Sequence, residues 1–368
     1  MPLPVIDPTR YADQLAAKVR GFMHEFAAFA PPEPQVFASP PLHYRLRAEF
    51  RIWHDGERLD YVMFDPDAPD IPIRLEDFPA GSRLINQLMP ALRTRLAASD
   101  ALRRKLFQVE FLTTLSGGAL ITLAYHRKLD DAWQSAAETL RSELGVQLIG
   151  RSRGQKITLG DDHVTETLQL DERLLHYRQI EGSFTQPNGA INQCMLGWAD
   201  AQVGALGGDL LELYCGNGNF TIALAPRFAR VLATELSKTS VRAAQYNLTA
   251  NAADNIALVR MSSDEISTAL SGGRAFNRLR HIALSDYRFS TLLVDPPRSG
   301  LDATTLALAQ RFDNILYISC NPVTLAQNIA ELHATHRIAA LALFDQFPYT
   351  HHVECGVLLQ KRQTGAPS

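Results

Sequence analysis

Four stretches of this sequence place reactive side chains where backbone geometry can aim them. The first is Ile318-Ser319-Cys320-Asn321-Pro322. Asparagine is a good N-cap and proline suits the first helical turn, so Cys320 stands where an apolar strand gives way to a helix. The positive end of a helix favours a thiolate, and the thiolate is the nucleophile. A buried, inert cysteine fits the same pattern. The second is the run from Phe344 to Cys355, in which Glu354 is a lone acid entering an apolar strand. A carboxylate there is either paired or held at raised pKa as a general base. Cys355, its neighbour, faces the other way and belongs to the core. His351 and His352 have no acid or cysteine at ligand spacing and read as loop or site-lining residues, not a metal pair.

The third stretch, Leu293-Val294-Asp295-Pro296-Pro297-Arg298-Ser299-Gly300, freezes a loop with two prolines directly after a strand. Open α/β sheets bind ligands at that end of their strands, so Asp295 is placed to bond a substrate or a cofactor. The fourth is Leu211-Glu212-Leu213-Tyr214-Cys215-Gly216-Asn217-Gly218-Asn219-Phe220, a strand running into Gly-x-Gly and then a helix. Glu235 follows Gly216 by 19 positions at the tip of the next apolar run, where a carboxylate accepts both ribose hydroxyls. Position 221 is Thr where a dinucleotide fingerprint has its third glycine. That favours S-adenosylmethionine, which has a ribose and an adenine but no phosphate.

These residues need a parallel sheet. Apolar runs at 209–214, 231–235, 256–259, 291–295 and 314–319 read as buried strands. Helical patterns near 219–226, 237–251, 302–311 and 323–334 alternate with them. Runs at 338–345 and 352–360 predict an antiparallel pair at the sheet edge. The first half reads differently. From Leu42 to Trp53 the pattern alternates strictly. Tyr44, Leu46, Ala48, Phe50 and Ile52 share one face; Arg45, Arg47, Glu49, Arg51 and Trp53 share the other. Asp55-Gly56 signals a hairpin, and 107–115 with 119–126 predicts a second. Helices fit 131–144 and 82–98, the latter interrupted by Pro90. The chain is therefore expected to be an α+β domain, 1–182, followed by a doubly wound, mostly parallel Rossmann-like domain, 183–368.

Length and composition exclude several classes. The chain has 368 residues, 46% hydrophobic and 20% charged, which suits two globular domains and excludes disorder as the dominant state. No apolar run is long enough to span a bilayer, and the start has no signal-peptide pattern. Four cysteines without a Cys-x-x-Cys pair argue against disulfide, zinc or iron–sulfur frameworks and for a reduced cytoplasmic enzyme. Net charge is −3 and neither half departs far from neutrality, so any nucleic-acid footprint must be local. Candidate patches are Arg45, Arg47 and Arg51 beside Trp53; Arg103, Arg104 and Lys105 beside Phe107; and Arg151, Arg153 and Lys156. A solvated sheet face is the alternative for each.

The glycine loop, Asp-Pro-Pro-Arg-Ser-Gly, Ser-Cys-Asn-Pro and the late His-x-Glu strand occur in an order that resembles the RNA uracil-C5 methyltransferases. Ser183-Phe184-Thr185-Gln186-Pro187-Asn188 belongs to the same pattern, and the resemblance covers essentially the whole chain. It implies an S-adenosylmethionine-dependent methylation of C5 of the T-loop uridine at position 54 of tRNA, giving ribothymidine. It implies that Gln186, Tyr214, Gly216, Asn219, Glu235 and Asp295 line the cofactor site, that Cys320 adds to C6, and that Glu354 takes the C5 proton. Asp295 could equally contact the uracil ring. Arg298 joins Arg45, Arg47, Arg51, Arg103 and Phe107 as an RNA-contact candidate. The expected partner is the T arm of tRNA, with no metal, iron–sulfur cluster or membrane, and the expected state a monomer. Ribosomal or other structured RNA is the alternative substrate; relatives acting there usually carry an extra N-terminal barrel and a four-cysteine motif, and the lack of both here favours tRNA. A tRNA-binding folding factor with secondary catalytic activity is the alternative of another class.

Overall fold

Strand Asp209–Leu213, entirely buried, lies inside an eight-stranded sheet, two strands from one edge. In this computed structural model, residues 5–65 and 68–363 are described. Asp209–Leu213 pairs in parallel with Arg230–Thr234 on one side and with Phe289–Val294 on the other. Ile256–Val259 and Asn314–Ser319 extend the parallel set outward. Alternation along these strands feeds two cores. Leu211, Leu292, Ile315 and Val357 face one side. Leu210, Leu293, Leu316 and Phe344 face the other. Helices cover both faces, as parallel sheets require.

The tail strands are antiparallel as expected. Glu354–Lys361 pairs with both Asn314–Ser319 and His336–Phe344. They are not the edge, however. A three-residue strand, Gln35–Phe37, adds to His336–Phe344 in parallel. The chain accordingly divides into two compact units that differ from a single cut at 182. The second unit includes Arg10–Ser39 and Leu168–Tyr177 as well as the chain from Ala190 onward, whereas 183–189 count with the first. The physical reason is burial. Helix Tyr11–Phe26 places Phe22 and Phe26, 2% and 0% exposed, in the core beside Leu292 and Ile315.

The first unit is built on a seven-stranded, mostly antiparallel sheet. Strand Arg47–Asp55 turns at Gly56, whose φ of 59° is what an Asp-Gly hairpin demands, and returns as Arg58–Asp65. Leu106–Thr113 and Ala119–Tyr125 form the second hairpin. The alternation seen from Leu42 to Trp53 is real: Tyr44, Leu46, Ala48, Phe50 and Ile52 are all buried. Helix Asp131–Leu144 begins at Asp130, which accepts from the Trp133 amide at 2.9 Å, and ends at left-handed Gly145. Helix Arg83–Ala97 runs through Pro90 without breaking. Among the described residues no helix is long and apolar enough to cross a membrane.

Candidate active site

All the reactive stretches of the second unit converge on one edge of its sheet, the carboxyl ends of the parallel strands. Tyr214, Glu235, Asp295 and Cys320 each follow directly on the last residue or two of a parallel strand. Glu354 arrives from the opposite direction as the first residue of its strand. The register pairs Ser319 with Cys355, so Cys320 and Glu354 lie one step beyond that pair on adjacent strands. Cys355 points into the core and is fully buried.

The glycine loop is held open. Tyr214 adopts φ 61°, a left-handed conformation uncommon for a tyrosine and typical of strained functional turns. Gly216 and Gly218 are left-handed as well. A β-carbon at Gly216 would meet nothing within 4 Å, so the loop borders free space at the strand tips. Glu235 reaches this loop: its Oε2 accepts from the Gly216 amide at 3.0 Å and its Oε1 from the Ser237 amide at 2.6 Å. Asn247 Nδ2 donates to the Asn217 carbonyl at 2.9 Å and pins the turn from below. Asn219 opens the following helix, and its side-chain amide is doubly paired with Asn192 at 2.8 and 3.0 Å. Asn192 is buried and the sequence reading missed it. Its signal was an asparagine within a helix, Gly189–Val203, that is apolar nearly all round.

A ribose needs a carboxylate and a close-approaching backbone, and an adenosyl group needs room. Glu235, the open Gly216 and the half-buried Asp295 provide a fitting set.

Around the thiol the electrostatics depart from expectation. A helix does begin at Pro322, capped by Asn321, whose Oδ1 accepts from the Val323 amide. Yet burial, with the carboxylates of Glu354 and Asp295, pushes the Cys320 thiol up to about 11. Lost water and two nearby acids raise this thiol, where its place before a helix predicts a lowered one. Arg298 acts in the other direction, favouring the thiolate. Burial pushes Asp295 up to about 7. Glu354 is raised well above the carboxylate range, first by burial and then by Asp295, against Arg298. Among the described residues neither side chain has an ion pair or hydrogen bond.

The Pro-Pro-Arg loop is clamped to the helix that follows Cys320. Asn321 Nδ2 and Thr324 Oγ1 both donate to the Arg298 carbonyl at 3.1 Å. Asn328 Oδ1 accepts from the Leu301 amide at 2.8 Å and the Tyr317 hydroxyl at 2.7 Å. Arg298 itself is exposed and lies 3.3 Å from His352. The His351 and His352 rings lie against each other, tilted by 42° with centroids 4.0 Å apart.

The remaining candidates lie in the first unit. Gln186 belongs there by its packing. Arg45 is half-buried and bonds the Arg47 carbonyl. Arg47 pairs with Glu110 at 2.5 Å and donates to the Ser183 carbonyl. These two are thus fixed within the unit. Arg51 is exposed above Phe107, which stacks on His126 with centroids 3.9 Å apart. Arg103 reaches the Gly56 carbonyl at 2.7 Å. Arg151 and Lys156, of the third candidate patch, both pair with Glu181.

An α/β sheet with a glycine loop, an acid at the second strand tip and reactive groups along the carboxyl edge fits an S-adenosylmethionine-dependent methyltransferase. The model of the tRNA (uracil-5-)-methyltransferase family matches residues 10–362, and the chain belongs to that family. The tRNA/tmRNA (uracil-C(5))-methyltransferase of Aromatoleum aromaticum is 65% identical, over 98% of each chain. That of Pseudomonas aeruginosa PAO1 is 58% identical over 98% of this chain and 100% of its own. The fold is shared with a tRNA (uracil-54, C5)-methyltransferase from Pyrococcus abyssi, solved in complex with S-adenosyl-L-homocysteine. That similarity has a TM-score of 0.72 at 20% identity, covering 95% of this chain and 83% of the other.

Proposed function

We propose that this enzyme methylates C5 of the T-loop uridine at position 54 of tRNA, through a covalent bond between Cys320 and C6 and proton removal by Glu354. The observation that carries this reading is the juxtaposition of Cys320 and Glu354 across paired strands, beside Asp295, with Arg298 the cation that acts on both. Uracil C5 is a weak nucleophile. Addition of the Cys320 sulfur to C6 makes C5 an enolate carbon. S-adenosylmethionine, when bound, supplies an electrophilic methyl group and a positive sulfonium. Afterwards C5 still bears its proton. Glu354 takes that proton, the C5–H pair becomes the C5=C6 bond, and the C6–S pair returns to Cys320. A carboxylate whose pKa is raised is the stronger base for this step.

Tyr214, Gly216, Asn219, Glu235 and Asp295 are the residues that would hold the cofactor, with Glu235 on the ribose hydroxyls. Gln186 joins them in the proposal. Arg51, Arg103, Phe107 and Arg298 are proposed RNA contacts, with Arg51 and Phe107 offering a cation and a ring face to an unstacked base.

The test uses radiolabelled S-adenosylmethionine with a T-arm hairpin, beside a hairpin bearing C at the target position and a ribosomal RNA fragment. Label recovered as 5-methyluridine in the T arm alone is the expected result. Label in the ribosomal fragment instead would overturn the substrate assignment. The relatives' names include tmRNA, so a tmRNA fragment belongs in the same assay as a second expected substrate.

A further inference from the structure

Glu354 has its backbone register fixed on the strand side but is fed by a loop, residues 346–353. That loop is tied down by an element far away in sequence. Helix Tyr11–Phe26 carries Lys18 into the protein, where its side chain is only 6% exposed. Its ammonium has three donors, and all three find acceptors. They reach Asp345 Oδ1 at 2.6 Å, the Phe347 carbonyl at 2.8 Å and the His352 carbonyl at 3.0 Å. One cation therefore gathers the residue before the loop, the loop's start and its end. Tyr11 donates its hydroxyl to Asp345 Oδ2 at 2.8 Å and accepts from the Ser39 amide. Gln14 Oε1 accepts from the amide of Tyr349, which holds a left-handed φ of 62°. The same helix face thus binds the loop through Tyr11, Gln14 and Lys18.

A buried ion pair is weak evidence for stability alone, because desolvation offsets much of the attraction. Here the pair is placed at the root of the loop that delivers the proposed base. His352, held through its carbonyl, lies two residues before Glu354 and 3.3 Å from Arg298. Arg298 in turn is the cation that acts on both Cys320 and Glu354. We propose that Lys18, paired with Asp345, is a positioning residue that sets Glu354 for removal of the C5 proton. This rests on the reading of Glu354 as the base. The step affected is the last one: carboxylate takes H5, the C=C bond re-forms, and the C6–S bond breaks toward Cys320. Formation of the adduct needs Cys320 and not the loop.

Lys18→Met keeps the aliphatic stem and removes the donors. Its turnover on a T-arm hairpin should fall about 10- to 100-fold, the cost of a small misplacement of a reacting group. KM for S-adenosylmethionine should change less than about twofold, since the cofactor residues are untouched. The fraction of enzyme caught as covalent RNA adduct on a denaturing gel should rise. Lys18→Arg should recover part of the turnover. Lys18→Met/Asp345→Leu removes both charges, so no buried charge is left alone, and it keeps the variant folded if the single change does not. Adduct accumulation that persists in this double variant supports positioning; full recovery of turnover would assign Lys18 a merely structural role and overturn the inference. Glu354→Gln is run alongside. If it traps no adduct, the reading of Glu354 as base fails. If it traps adduct and the Lys18 variants, folded by thermal melting, do not, the positioning inference alone fails.

Discussion

Glu181 in the first unit and Glu354 in the second are both acids removed from water, and the protein treats them oppositely. Around Glu181, burial would raise the carboxyl, but Arg151 at 2.5 Å and Lys156 at 3.1 Å prevail and hold it below the usual range. Glu354 is raised well above that range, with Asp295 adding repulsion and only Arg298 opposing. The first arrangement fixes strands to one another and leaves nothing reactive. The second leaves a carboxyl of raised proton affinity beside a thiol that is raised as well, the kind of perturbed pair that the proposed chemistry draws on. The contrast to test is between a carboxylate held by two cations and a carboxyl raised beside a thiol.

The largest test removes the thiol. Cys320→Ala should abolish methyl transfer, a loss of at least about 10³-fold in labelled product. A variant with substantial activity would show that the Cys320–Glu354 pair is not the reacting centre. Glu354→Gln should lower turnover about 10²- to 10⁴-fold and leave RNA covalently attached on a denaturing gel. The same variant sharpens the electrostatic side of the contrast. Iodoacetamide labelling of Cys320 should follow the thiolate, rising with pH toward a midpoint of about 11 in the parent enzyme. Glu354→Gln removes a charge that raises the thiol, so the midpoint should fall; mass spectrometry of the Cys320 peptide reads it. An unchanged midpoint would mean that burial and Asp295, not Glu354, set the thiol.

The Glu181 side predicts a stability effect without a catalytic one. Its folded pKa lies below the unfolded value. The stability it contributes is therefore full above the unfolded pKa and is lost as pH falls through the folded one. Arg151→Ala should cost about 1 kcal/mol at neutral pH, discounted because Arg151 is half exposed. It should also flatten the acid limb of stability against pH, both measured by urea unfolding. The smallest effect is expected at the exposed platform. Arg51→Ala should reduce the salt dependence of T-arm binding by about one unit of slope, read by titration at several salt concentrations. No change would leave Phe107 and Arg103 to carry that surface.

Much of the second unit is legible in sequence because its signals are local. The strand runs, the glycine turn, the Pro-Pro exit and the Asn-Pro cap each act within a few residues. What the sequence withheld is long-range. Gln35–Phe37 has three residues, too few for a period, and joins a strand about 300 positions later. Helix Tyr11–Phe26 carries Lys18 on a face that binds Asp345, and a lysine in an amphipathic pattern reads as a solvated one. The thiol follows the same logic. Its helix cap is adjacent in sequence, whereas the acids that raise the thiol come from other strands. In the first unit the Arg45 and Arg47 side chains alternate correctly onto the face opposite the core, but Glu110 and Ser183, which engage Arg47, come from elsewhere in the chain.

Gly356 lies in the strand that begins with Glu354 and faces Trp198. A β-carbon there would fall 2.5 Å from the Trp198 ring, so the indole lies directly on the strand that begins with Glu354. The chain has three tryptophans, Trp53, Trp133 and Trp198, and only the last belongs to the second unit. Trp198 is 3% exposed and its Nε1 has no hydrogen-bond partner among the described residues. With Trp53 and Trp133 changed to Phe, its emission becomes an intrinsic optical probe of the strand that bears Glu354, readable in real time while RNA binds and leaves.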